Sequence, residues 1–142
     1  MTETPIRRFR RIFSATNLTS IYEERVSRTR AVGKDGVTLE TFSTSSSNEI
    51  STIRKKTAKN TYRFTQYKQK LIPKGQNKAP RVISVPTIRD RIVHRAICEL
   101  LVEIFPECVT RQPHWYIGKI VERIKQRPEK NIVILRADIK HF

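Results

Sequence analysis

The sequence predicts an α+β fold: packed helices around one short basic hairpin, with a further strand near the C-terminus. Three observations lead there. Apolar residues recur at helical spacing in the stretches 5–30, 87–105 and 115–124. Between the first two, Leu71 and Ile72, then Val82, Ile83 and Val85, flank a loop holding Gly75, Asn77 and Pro80, as two paired strands joined by a turn would. Last, Asn131 to Ala137, NIVILRA, is a nearly continuous apolar run of the kind that fills a covered sheet.

From the N-terminus, Ile6, Phe9, Ile12 and Phe13 form one helical stripe, and Leu18, Ile21, Tyr22 and Val26 continue it after a restart expected at Asn17. Arg7, Arg8, Arg10 and Arg11 occupy the other side, where a solvated face and an RNA contact are both open readings. Gly33 and Asp35-Gly36 then signal a turn, and the stretch 31–42 reads as a loop leading into a new element. The serine-rich segment from Ser43 to Asn48 suits a surface connection or a helix start at Asn48, with Ile50 and Ile53 facing inward behind it.

The hairpin, 67–86, ends at Pro86. Thr87 is a natural N-cap for a helix running to about Phe105, with Ile88, Ile92, Ala96, Leu100 and Ile104 as its apolar stripe, widened by Val93, Ile97 and Leu101. Arg89, Arg91 and Arg95 fall off that stripe. Pro106 breaks the helix, and Pro113 sits in a polar connector. Trp115, Tyr116, Ile117, Ile120, Val121 and Ile124 then make another helical face that Pro128 stops. Asp138 stands at the end of the apolar strand. There it suits either a magnesium ligand held by a rigid strand or the N-cap of a following helix.

Charge narrows the partners. The net charge is +16, spread along the chain instead of gathered in a tail, and Lys68, Lys70, Lys74, Lys78, Arg81, Arg89, Arg91 and Arg95 are opposed locally only by Asp90. A polyanion, nucleic acid first, is the expected ligand. No apolar run approaches the ~20 residues that span a bilayer and the N-terminus has no signal-peptide core, so a soluble, cytoplasmic protein without a membrane partner is expected. Cys98 and Cys108 lack zinc-finger company and are expected to be reduced thiols.

The segments GKDGVT (33–38), YKQKLIPKGQNKAPRVISVPTIRDRIVHRAI (67–97) and ILRADIKHF (134–142) resemble, in this order, bacterial reverse transcriptases of the group II intron, retron and phage-defence type. The resemblance runs from about Thr29 to Phe142. It implies a fingers region over 31–130, containing the hairpin 67–86 and helix 87–105, an N-terminal helical extension over 1–30, and the start of a palm at 131–142. It implies that Arg81 and Lys74 hold the triphosphate of an incoming nucleotide, and that Asp138 binds catalytic magnesium, with manganese as the substitute. Lys68, Lys70, Lys78, Arg89, Arg91 and Arg95 would grip nucleic acid. The partners implied are an RNA template, a DNA primer, deoxynucleotides, a structured non-coding RNA, and the rest of the polymerase as continued chain or separate subunit. The family's second catalytic motif with its paired aspartates has no counterpart in the 142 residues. The chain alone is therefore expected to be inactive, and a non-catalytic RNA-binding module derived from such an enzyme is the alternative.

Overall fold

The computed structural model describes residues 3–76 and 79–126. Lys78, Asp138 and the expected strand 131–137 lie outside them. The chain divides into two compact units, Met1–Pro106 and Glu107–Phe142. The regular elements among the described residues are helices and one two-stranded antiparallel sheet, in keeping with an α+β chain.

In the first unit, α1 (Pro5–Ile12) starts with proline in its first turn behind the N-cap Thr4. The restart falls at Ser14, not Asn17: the Ser14 hydroxyl accepts from the Asn17 amide and caps α2 (Ala15–Ile21). Asn17 instead donates its side-chain amide to the Ile12 carbonyl at 2.9 Å, stitching the two helices across the break. After α2 the chain widens into a π-turn over Tyr22–Val26, where Ser27 N donates to the Tyr22 carbonyl five residues back.

The stretch read as a loop holds a short helix, α3 (Leu39–Thr44), capped by Thr38 and burying Phe42. Its six residues are too few to show a helical period in sequence. Helix α4 (Ser46–Ala58) follows, starting two residues before Asn48. The strands β1 (Lys68–Ile72) and β2 (Arg81–Val85) then pair, and Thr87 caps α5 (Ile88–Ile104) through the Asp90 amide as expected.

The core joins these helices and leaves out the hairpin. Ile12, Leu18, Ile21, Phe42, Ile53, Ile88, Ile92 and Ala96 are all at most 3 % exposed. Apart from Phe42 in the short α3, each comes from the apolar stripe of its helix, so burial follows helical spacing. The stripe of α5 is buried through Ala96 and partly covered at Ile97 and Leu100, whereas Leu101 and Ile104 are exposed. In the second unit, α6 (Pro113–Lys125) takes Pro113 at its first turn, and Trp115, Tyr116, Ile117, Ile120 and Val121 are exposed. Arg111 lies over the Trp115 ring at 5.4 Å, and its amide donates to the Tyr116 hydroxyl.

Candidate nucleic-acid interface

The hairpin register decides where its charges point. Lys68 lies opposite Val85, Lys70 opposite Ile83 and Ile72 opposite Arg81, while Gln69 faces Ser84 and Leu71 faces Val82. Directly opposed residues share a face and successive residues alternate. Lys68, Lys70 and Arg81 therefore fall on one side of the ribbon, and the other side carries Gln69, Leu71, Val82 and Ser84. Both strands are exposed over nearly their whole length, so none of the described residues forms a layer over either face. Lys74 is exposed in the connection, just before Gly75, whose φ of 103° belongs to the left-handed region that glycine tolerates.

At the base of this arm sits Asp90. It is 1 % exposed, yet both carboxylate oxygens are used: Tyr62 Oη donates at 2.8 Å and Thr65 N at 3.1 Å. The first turn of α5 adds its unpaired amides and dipole, which favour a negative charge there. Burial, followed by the bond to Asp90, drives the Tyr62 phenol far above its ordinary value. The segment entering β1 is thus clamped to the helix that leaves β2. Phe64 stacks on His94 at 4.7 Å, with Tyr67 edge-on to the same ring at 6.2 Å, which extends the clamp toward Lys68.

A second clamp comes from the glycine turn. The Gly36 amide closes on the Gly33 carbonyl and the Val37 amide on Asp35 Oδ1. A Cβ on Gly33 would meet Thr87 Cα at 2.7 Å and Thr87 N at 2.8 Å, so only glycine lets this turn touch the start of α5. Arg91 fastens the preceding segment, giving Nη1 to the Thr29 carbonyl at 3.1 Å and Nη2 to Ala31 at 2.8 Å. Burial lowers its guanidinium below the ordinary arginine range.

Of the three α5 arginines expected to reach nucleic acid, two tie α5 to other segments and the third pairs within the helix. Arg91 holds the 29–31 backbone, Arg89 forks onto the Glu49 carboxylate, which raises its guanidinium, and Arg95 pairs with Glu99 one turn on at 3.4 Å. On α1 the arginines split in the same way. Arg8 and Arg11 bind Glu3 and Glu103, whereas Arg7 and Arg10 have no ion-pair partner among the described residues.

Two signals in the sequence anticipate this arrangement. No Asp or Glu occurs between Glu49 and Asp90, while Arg54, Lys55, Lys56, Lys59, Arg63, Lys68, Lys70, Lys74 and Arg81 all fall inside. The spacing Thr87-x-x-Asp90 is that of a helix N-terminus whose acidic residue turns back toward the preceding chain. Among the described residues no cluster of three or more His, Cys, Asp or Glu is placed to hold a metal ion, and none of their helices is long and apolar enough to cross a membrane. Cys98 and Cys108 are free thiols. No protein-family model matches the sequence, and no curated protein matches it.

Proposed function

We propose that this chain is the fingers region and palm entry of an RNA-directed DNA polymerase of the reverse-transcriptase type. The observation that carries the reading is the one-sided charge of the hairpin. An exposed ribbon presenting Lys68, Lys70 and Arg81 to one side, clamped at its base through Asp90, is a preorganised grip for phosphates. In this reading Arg81 forks onto the triphosphate of the incoming nucleotide, and Lys74 adds a mobile point charge beside it. Lys68, Lys70 and Lys78 neutralise template and primer phosphates. Arg89 and Arg91 keep α5 in register with Glu49 and the 29–31 backbone, and Arg95, paired within its own helix, stays with the residues that grip nucleic acid. Asp138 would hold magnesium or manganese, which stabilises charge on the reacting phosphates.

Primer extension on an RNA template with magnesium is the test. In-line displacement needs attacking and leaving oxygens clamped together, and among the resembling motifs Asp138 is the single carboxylate for that task. The expected result is no extension by the 142 residues alone. Extension is expected from the chain continued into a palm, and is lost on Asp138→Asn. Salt-sensitive RNA binding without extension by either chain supports the non-catalytic RNA-binding module instead. Robust extension by the 142 residues alone refutes the assignment of this chain to fingers and palm entry.

A further inference from the structure

A groove of about 210 Å³ opens beside the hairpin's root, between α1, the end of α4, α5 and the segment leading toward β1. Four of its walls are aromatic. Phe9 and Phe13 stack on one another at 4.5 Å, and Tyr62 meets Phe64 edge-on at 5.4 Å. Polar groups line it as well: Asn60 and Arg63 are exposed, and Asn60 has φ 58°, the left-handed conformation that ends α4 and redirects the chain. Phe64 is 49 % exposed although it belongs to this aromatic group.

From these features we infer that the groove binds one unstacked nucleobase of a single-stranded nucleic acid. A groove with aromatic walls suits the face of a base, which would stack on the side of Phe64 that His94 leaves open, because stacking needs area and a π-surface but no fixed hydrogen-bond pattern. Asn60 offers a donor and an acceptor to a base edge. Charge complementarity selects this occupant over an apolar peptide. None of the residues lining the groove is acidic, its rim from Thr57 to Phe64 belongs to the acid-free stretch between Glu49 and Asp90, and Lys59 and Arg63 flank Asn60 to Tyr62, where the strand's phosphates would run. A duplex cannot enter, since its bases are already stacked. The site rests on the nucleic-acid reading above and adds to it a strand preference and an anchor point.

The test is a binding titration of the whole chain at two salt concentrations, with three probes of equal phosphate number: a short oligoadenylate, the matching abasic strand, and a duplex. Oligoadenylate is expected to bind about five- to a hundredfold tighter than the abasic strand, the range of one base–aromatic stack. Phe64→Ala should erase that difference, whatever affinity both strands lose together with the Phe64–His94 stack, and Phe64→Tyr should keep it. RNA and DNA forms of the oligoadenylate separate a base-stacking site, which treats them alike, from one that reads the 2′ hydroxyl. Equal binding of all three probes with a steep salt slope overturns the groove and leaves the phosphate-binding hairpin standing. Binding of none of them overturns both. Phe64→Ala with oligoadenylate still favoured over the abasic strand moves the stack elsewhere.

Discussion

Replacing Asp90 by asparagine probes the joint on which the hairpin's position depends. The change keeps the side chain's shape but leaves one acceptor oxygen for two donors, Tyr62 Oη and Thr65 N, so one bond becomes neutral and the other donor loses its acceptor to an amide nitrogen. Bonds to a charged group contribute roughly 1.5–3 kcal/mol and neutral ones about 0.5–1.5, so the kept bond loses about 1 kcal/mol and the broken one about 2. The expected destabilisation is about 3 kcal/mol, which for a unit of this size lowers the melting temperature by roughly 12–24 °C. Asp90→Ala should cost about 4 kcal/mol, since it strands both donors at a site that is 1 % exposed. Tyr62→Phe completes a double-mutant cycle and tests the alkaline limb. The Tyr62 phenol is raised in the folded protein, so its contribution is fully present below the ordinary tyrosine value, about 10, and is lost as pH climbs beyond it. Stability should therefore fall above about pH 10, less steeply in Tyr62→Phe. Urea melts of the wild type, the three single variants and the double variant provide the measurement. Wild-type stability in Asp90→Asn, or strict additivity of Asp90→Asn with Tyr62→Phe, would refute the clamp.

Three further expectations follow from the interface. Affinity for a structured RNA should drop steeply with salt, and Lys68→Ala with Lys70→Ala together should reduce the slope by up to about 2, roughly one per lost phosphate contact; an unchanged slope removes them from the interface. In an active, longer form, Arg81→Ala should weaken nucleotide use about tenfold to a hundredfold with template affinity preserved, as steady-state kinetics against nucleotide concentration would show. Gly33→Ala should destabilise the first unit by about 1–3 kcal/mol in thermal melts, because its Cβ would meet Thr87 backbone atoms at 2.7 and 2.8 Å and the turn must move off α5.

How much of this could be read from the residues depends on the range of the forces involved. The β1 and β2 strands and the start of α5 were legible because their determinants are local: turn residues between apolar runs, a proline that ends a strand, a threonine that caps a helix. The hairpin's basic residues were legible too, and alternation along the strands puts Lys68 and Lys70 on the same side without further information. What escaped is set by contacts between distant segments. Nothing near Arg91 announces that Thr29 and Ala31 take its guanidinium, nor does Arg89 reveal Glu49, forty residues away in sequence. Asp90 read simply as the lone negative charge in a basic run, and its burial follows from a packing of α5 on the segment before β1 that no periodicity encodes. Helix α3 and the π-turn at Tyr22 failed for a different reason: each is shorter than the window in which a period can be counted.

The hairpin lies outside the apolar core, and that sets how it opens and closes. No described residue from Lys68 to Val85 belongs to the buried cluster, so among the described residues the pairing of β1 with β2 rests on its ladder and on the clamps at its root. A two-stranded ribbon of this kind is marginal by itself in water. Its amides should exchange with solvent through local opening, at rates far above those of Ile92 or Val93 in α5, which wait for the whole unit to unfold. A phosphate ligand that engages only the closed ribbon then slows exchange at Leu71 and Val82 in proportion to its occupancy and leaves the core amides untouched. The arm thus carries its own thermodynamic gauge, reporting ligation through hydrogen exchange independently of any catalytic readout.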